Sequence, residues 1–136
     1  MRAIALCMAV IGLAACAGQE SREVNEEEQA VRDFIEVRGL AELNEIRVRD
    51  SAGWDKITGK FIIYNTRRES FLFVFARNCY ELDDNTNIVA DIRHSPNIIN
   101  ARFDTLRGCR IDKIYALTEA EVAELLQIGE GPGSRN

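Results

Sequence analysis

The pattern that most constrains the fold is a pair of apolar strands on either side of a polar loop. Residues Phe61 to Tyr64 and Phe71 to Ala76 both have strand character, and the polar loop Asn65 to Ser70 lies between them. This arrangement predicts an antiparallel hairpin with a longer turn. In the second strand, phenylalanines alternate with Leu72 and Val74, so both faces are apolar. Such a strand is predicted at the centre of a sheet that is covered on both sides.

Helical signals flank the predicted sheet at both ends of the chain. Apolar residues at positions 30, 31, 34 and 35 recur at helical spacing between a potential cap at Asn25 and a stop signal at Gly39. Near the C-terminus, Thr118 and Glu121 have the spacing of a capping box. Shorter alternating segments predict the other strands, and these segments are Glu45–Asp50, Ile88–Ile92, Ile99–Phe103 and Cys109–Tyr115. We therefore predict an α+β domain with an antiparallel sheet of about five strands, one N-terminal helix and one C-terminal helix.

The first residues predict export from the cytoplasm. Met1 and Arg2 precede the eleven uncharged residues from Ala3 to Leu13, which is the layout of a signal peptide. A membrane-spanning helix needs about 20 apolar residues, so this segment is too short to be one. The stretch that follows, "LAAC" ending at Cys16, resembles a bacterial lipobox. The resemblance implies cleavage before Cys16 and attachment of diacylglycerol and palmitate to this residue. Ordinary signal-peptidase cleavage after Ala17, which would leave a soluble secreted or periplasmic protein, is the alternative.

The residue that follows the predicted lipid site indicates the membrane to which the protein is sorted. Ala17 occupies this position rather than an aspartate, and the resemblance to enterobacterial lipoprotein sorting implies an outer-membrane protein that faces the periplasm. Two or more acyl chains anchor a protein stably in a membrane.

We predict a signal peptide at residues 1–15, an acidic tether at 16–28, a single domain at 29–128 and a disordered tail at 129–136. The net charge of −5 gives no basic surface for nucleic acid.

The cysteine count predicts one disulfide. Of the four cysteines, Cys7 lies in the predicted leader and Cys16 is the predicted lipid site, which leaves Cys79 and Cys109. A pair of cysteines in an oxidising compartment is typical of a structural bridge. Catalytic redox pairs usually have only two residues between their cysteines, whereas these two are thirty positions apart. We favour the structural bridge over the redox pair.

The catalytic candidates are few. The single histidine, His94, would need a nucleophile and a carboxylate to act in a hydrolase. Ser95 is its neighbour, and Asp91 or Asp104 would orient it. Because adjacent residues seldom form such a triad and no nucleophile-elbow pattern is present, a loop histidine is the favoured interpretation.

The sequence contains two further candidate ligand sites. Asp83, Asn85 and Asn87 match the start of a calcium-binding loop, but its sixth position lacks the required glycine and its twelfth lacks the required glutamate. A polar turn is favoured, and we predict no metal or cofactor. The aromatic residues Trp54, Tyr64 and Tyr115 are candidates for the lining of a pocket for a hydrophobic ligand.

The segment "DTLRGCRIDKIYALTEAE", read with "FVFARNC" upstream, resembles a small uncharacterised bacterial envelope family. The shared pattern is Cys-Arg-Ile-x-x-Ile-aromatic-x-Leu with a partner cysteine after an aromatic strand. The matching positions here are Cys79, Cys109, Arg110, Ile111, Ile114, Tyr115 and Leu117. The resemblance extends over residues 33–126 and implies no activity.

The sequence thus predicts a lipid-anchored periplasmic protein with a non-enzymatic binding or structural role in the cell envelope. Its expected partners are the membrane, through Cys16, and an envelope protein, but not nucleic acid. The alternative function is a small hydrolase-like enzyme centred on His94 with Asp91 or Asp104.

Overall fold

The structure is a computed structural model that describes residues 19–82 and 97–129. Within these residues the chain forms two α-helices, eight β-strands and one short 3-10 helix. In chain order they are α1 (Gln19–Arg38), β1 (Glu42–Leu43), β2 (Glu45–Arg47), β3 (Ser51–Lys56), β4 (Phe61–Thr66), β5 (Ser70–Phe75), the 3-10 helix (Tyr80–Leu82), β6 (Ile98–Asn100), β7 (Thr105–Leu106), β8 (Cys109–Leu117) and α2 (Glu119–Gly129). The predicted α+β class, with a helix at each end of the domain, is confirmed.

The predicted hairpin forms the middle of the sheet. Strands β4 and β5 pair antiparallel, with Phe61 opposite Val74 and Tyr64 opposite Phe71. The strand order is β1-β8-β5-β4-β3, and β7 pairs with β8 off this path, which makes six strands in all. Strands β2 and β6 form a separate two-stranded sheet. β5 is therefore the central strand, as its apolar pattern on both faces predicts.

The two faces of the sheet are covered by different elements. On one face, the apolar cluster combines residues of α1, α2, β4, β5 and β8; its buried members are Val31, Ile57, Phe61, Ile63, Leu72, Val74, Tyr115 and Leu125. We call this the helix face. On the other face, which we call the ribbon face, Phe71, Phe73 and Phe75 pack with Ile46 of β2 and Ile99 of β6. The alternation in β5 thus supplies side chains to two separate cores.

Helix α1 begins earlier than predicted. It starts at Gln19 rather than after Asn25, so the predicted boundary between tether and domain at 28/29 falls inside a continuous helix. Glu28 belongs to the packed part of the molecule, since its residue exposure is 9% and its carboxylate lies 3.7 Å from Lys60 Nζ. The correction has a physical reason. Glutamate and glutamine are good helix formers, and acidic side chains are favoured near a helix N-terminus by the helix dipole.

The end of α1 confirms the predicted stop at Gly39. Its φ of 58° lies in the left-handed region, which glycine adopts without steric cost. The Gly39 N–H donates to Glu36 O at 3.2 Å, and the Leu40 N–H donates to Ile35 O at 3.3 Å. These two bonds define a Schellman motif. Leu40 and Ile35 both pack against the helix-face cluster, so the motif also directs the chain into β1.

The C-terminal helix begins with the predicted capping box. The Thr118 N–H donates to Glu121 Oε2 at 2.8 Å, and the Glu121 N–H donates to Thr118 Oγ1 at 3.3 Å. The helix ends at Gly129, which the sequence analysis placed in the tail. A Cβ at Gly129 would lie 3.1 Å from Ile57 Cα, so this glycine permits a close approach between α2 and the β3–β4 connection.

We expect Thr118→Ala to lower the free energy of unfolding by about 1 kcal/mol, because an N-cap oxygen is lost. Urea denaturation followed by far-UV circular dichroism measures this change. The control is Thr118→Ser, which keeps the hydroxyl group. Its free energy of unfolding should be close to that of the wild type. Equal stability of the serine and alanine variants would show that the capping bond contributes nothing.

The segment after β6 differs from the predicted strand over Ile99–Phe103. The strand stops at Asn100 because Arg102 has a φ of 72° and the chain turns there. Ile99 and Ala101 are buried as predicted, whereas Phe103 is 80% exposed. The Ile88–Ile92 strand prediction lies outside the described residues.

Candidate functional site

Of the predicted catalytic residues, only Asp104 lies within the described residues; His94, Asp91 and the calcium-loop positions do not. Asp104 is fully buried. Its Oδ2 accepts hydrogen bonds from the Asn100 backbone N–H at 2.6 Å and from Asn100 Nδ2 at 3.3 Å. Its backbone O accepts from the Ile111 N–H at 3.0 Å. Asp104 therefore holds the turn that leads into β7 and β8, and the hydrolase remains a prediction.

The aromatic pocket predicted from Trp54, Tyr64 and Tyr115 does not form. Trp54 and Tyr64 are opposite each other on β3 and β4 and belong to the ribbon-face cluster, where Tyr64 stacks on Phe73. Tyr115 belongs to the helix-face cluster. The sheet lies between Tyr115 and the other two aromatic residues, because neighbouring positions on a strand point to opposite faces.

A groove runs between α1 and the helix face of the sheet. Its wall is formed by Arg32, Ile35 and Glu36, which share one side of α1 at helical spacing. Its floor includes Phe61, Val74 and Tyr115, which face the helices from β4, β5 and β8. The groove has a volume of about 320 Å³. This volume lies at the lower end of the range typical of ligand pockets.

The charged side chains of the groove are arranged around its apolar floor. The cations are Arg32, Lys60 and Lys113, and the anions are Glu36 and Asp112. The Arg32 guanidinium carbon lies 5.5 Å from the centroid of the Phe61 ring, within cation–π range. Lys113 Nζ lies 3.7 Å from the carboxylate of Glu42. The groove therefore offers an apolar surface bordered by charges of both signs, and Lys60 lies 3.7 Å from the carboxylate of Glu28.

The sequence analysis did not identify this groove. Arg32, Ile35 and Glu36 have the spacing of one helix side, which is the only signal for the wall. The floor depends on the register Phe61–Val74–Lys113 across three strands. That register follows from tertiary pairing, so no local pattern could have revealed it.

A second cluster surrounds the predicted disulfide. Cys79 and Cys109 are bonded, with an S–S distance of 2.01 Å and a Cα–Cα distance of 5.8 Å, which confirms the bridge. The carboxylate Oε2 of Glu81 lies 3.1 Å from Cys109 Sγ. A disulfide sulfur carries no proton, so this contact is a close approach rather than a conventional hydrogen bond. Arg107 Nη1 donates to Glu81 O at 3.2 Å, which ties the β7–β8 turn to the 3-10 helix.

Arg77 fixes the Glu81 side chain in place. Its Nη2 donates to Glu81 Oε1 at 2.8 Å, and its Nη1 reaches Oε2 at 3.4 Å. The hydrogen bond from Arg77 lowers the pKa of Glu81 below its ordinary value, and the same bond raises the pKa of Arg77. Glu81 is therefore an ionised carboxylate beside the two sulfur atoms. The Oε and Sγ atoms of Cys79, Glu81 and Cys109 all lie within 4.8 Å of one another.

These features define a disulfide-bonded α+β domain with a groove beneath its N-terminal helix. The chain belongs to the family of unknown function DUF6491, which matches residues 1–128. Comparisons with curated proteins and with solved structures give no match. Among the described residues, none of the helices is both long enough and apolar enough to cross a membrane.

Proposed function

We propose that the protein is a lipid-anchored module of the bacterial cell envelope that binds an envelope protein partner in the groove beneath α1, without catalysing a reaction. The observation that carries the binding role is the groove itself, whose apolar floor is bordered by Arg32, Lys60 and Lys113. This chemistry suits a segment with apolar and acidic side chains. The lipobox at Cys16 supports the anchor, and the family match extends over the leader that contains it.

The placement of Asp104 gives it a structural role in the turn before β7, which favours the non-enzymatic proposal. Asp104 is buried, and its Oδ2 accepts two hydrogen bonds from Asn100. Its backbone also joins the pairing of the turn with β8, through the Ile111 N–H. Removal of this residue is therefore expected to affect folding first.

The experiment is site-specific photocrosslinking in intact cells. A benzophenone amino acid replaces Glu36, which is exposed at the groove wall. The matched control position is Glu69, which is exposed in the β4–β5 turn. We expect a defined adduct from position 36 and none from position 69. Identical adducts from both positions, or none from either, would contradict binding in the groove.

Reversal of the positive charges that border the groove provides the second arm of this test. Lys60→Glu combined with Lys113→Glu replaces two weak attractions to an acidic partner by repulsions, and we expect the adduct yield to fall about tenfold. Arg68→Glu combined with Arg67→Glu makes the same change in charge at the β4–β5 turn, outside the groove. This control should leave the yield unchanged. An equal fall in both double variants would point to net charge rather than to the groove.

A further inference from the structure

We propose that the reduced protein binds one zinc ion through Cys79, Glu81 and Cys109, and that formation of the disulfide closes this site. The three residues lie on the ribbon side of the domain, away from the groove, so this proposal is independent of the proposed function. Zinc in proteins is bound by thiolate and carboxylate ligands of this kind. The described structure brings together two sulfur atoms and one carboxylate, with all ligand atoms within 4.8 Å of one another.

The backbone holds the two cysteines together by contacts other than the disulfide. The Cys79 N–H donates to Gly59 O at 2.8 Å, and the Ala76 N–H donates to Arg110 O at 3.0 Å. Cys109 is paired with Leu106 in the β7–β8 hairpin. We therefore expect the Cα–Cα distance of 5.8 Å to persist after reduction. The thiols then remain neighbours without a covalent bond.

The side chains can reach zinc-binding geometry by small rotations. Two sulfur atoms on one tetrahedral zinc ion lie about 3.8 Å apart, because each Zn–S bond is about 2.3 Å long. Glu81 Oε2, at 3.1 Å from Cys109 Sγ, is already close to the separation of neighbouring ligand atoms in such a site. Glu81 is exposed while both cysteines are buried, so the fourth position would face solvent.

Arg77 acts as a positioning residue for this site. It binds Glu81 Oε1 at 2.8 Å and Oε2 at 3.4 Å, and in this orientation Oε2 lies 3.1 Å from Cys109 Sγ. Carboxylate ligands of metal sites are themselves commonly oriented by hydrogen bonds from a second layer of residues. Two thiolates beside a carboxylate repel one another, and a bound dication removes this repulsion.

Reduction of the disulfide opens the site. A dithiol reductant transfers two electrons and two protons to the Cys79–Cys109 bond, which gives two protein thiols and one cyclic disulfide of the reductant. Zinc then displaces the two thiol protons and binds the thiolates. In the reverse direction, a small-molecule disulfide accepts two electrons from the protein thiolates, its S–S bond breaks to give two small-molecule thiolates, the protein disulfide forms, and zinc is released.

The test uses the full-length chain in mild detergent with Cys7→Ala and Cys16→Ala, so that Cys79 and Cys109 are its only cysteines. The protein is reduced with a water-soluble phosphine, which becomes a phosphine oxide and leaves no competing thiol. Cobalt(II) titration is followed by the near-ultraviolet thiolate-to-metal absorption, and zinc is then added to displace cobalt. We expect binding of one metal ion per chain in the reduced protein and none in the oxidised protein.

The variant that tests the third ligand is Glu81→Gln. It should weaken zinc binding by at least about tenfold, while the matched control Glu69→Gln should bind like the wild type. Near-ultraviolet circular dichroism checks that the reduced proteins stay folded. The proposal is overturned by any of three results: no cobalt absorption in the reduced protein, equal affinity in Glu81→Gln, or loss of tertiary structure on reduction.

Discussion

Replacement of Cys16 by alanine should abolish lipidation of the protein. In a Gram-negative host, we expect the wild type to incorporate radiolabelled palmitate and to fractionate with membranes. Cys16→Ala should lose the label completely, because the proposed attachment of diacylglycerol is to the sulfur atom of this residue. The variant should then accumulate either as the unprocessed precursor or as a protein released from the membrane. Palmitate labelling, electrophoretic mobility and membrane fractionation measure these outcomes.

The matched control is Cys7→Ala, which removes a cysteine from the apolar part of the predicted leader without changing the predicted lipobox. This variant should be labelled and anchored like the wild type. A Cys16→Ala protein that is processed normally and still fractionates with membranes would contradict the lipoprotein assignment. It would leave ordinary cleavage after Ala17 as the better interpretation of the leader.

The second large effect concerns stability. The double variant Cys79→Ala/Cys109→Ala should lose about 3.6 kcal/mol of unfolding free energy, because the bridge closes a loop with a sequence separation of 30. This value is the chain-entropy contribution, which restricts the unfolded state. The melting temperature should fall by roughly 15 °C in a domain of this size. Urea denaturation and a thermal melt of the same preparations measure both quantities.

The reduced wild type, prepared without metal, is the control for packing. Both sulfur atoms are buried, so the double variant also loses a small amount of packing that the reduced wild type keeps. The free energy of unfolding of the reduced wild type should therefore be slightly higher than that of the double variant and well below that of the oxidised protein. A difference of less than 1 kcal/mol between oxidised protein and double variant would contradict a stabilising role for the bridge.

The elements that could be predicted from the sequence have local signals, or signals that leave a single possible arrangement. The alternation in residues 71–75 fixes both the strand and its central place, because a strand that is apolar on both faces is stable only when both are covered. The capping box at Thr118 and the end of α1 at Gly39 are both defined by short-range hydrogen bonds. The disulfide could be predicted because the count of cysteines left one pair.

The features that escaped prediction depend on long-range pairing or on competing local tendencies. Strand β3, Ser51–Lys56, has few of the residues that favour strands and becomes a strand because it pairs with the edge of β4. Phe103 continues an alternating pattern, but the positive φ of Arg102 ends the strand before it. The groove and the Glu81 contact both join segments that are far apart in sequence. No local pattern encodes them.

The length of α1 bears on the mechanics of an anchored protein. In the proposed lipoprotein, only residues 17 and 18 separate the acylated Cys16 from the first helical residue, Gln19. The ten residues from Gln19 to Glu28 then span about 15 Å as a rigid rod. A flexible chain of that length would adopt many end-to-end distances, whereas a helix keeps its start at a nearly constant distance from the packed domain. In the proposed lipoprotein, the groove walled by the same helix would thus be separated from the anchor by a spacer of defined length.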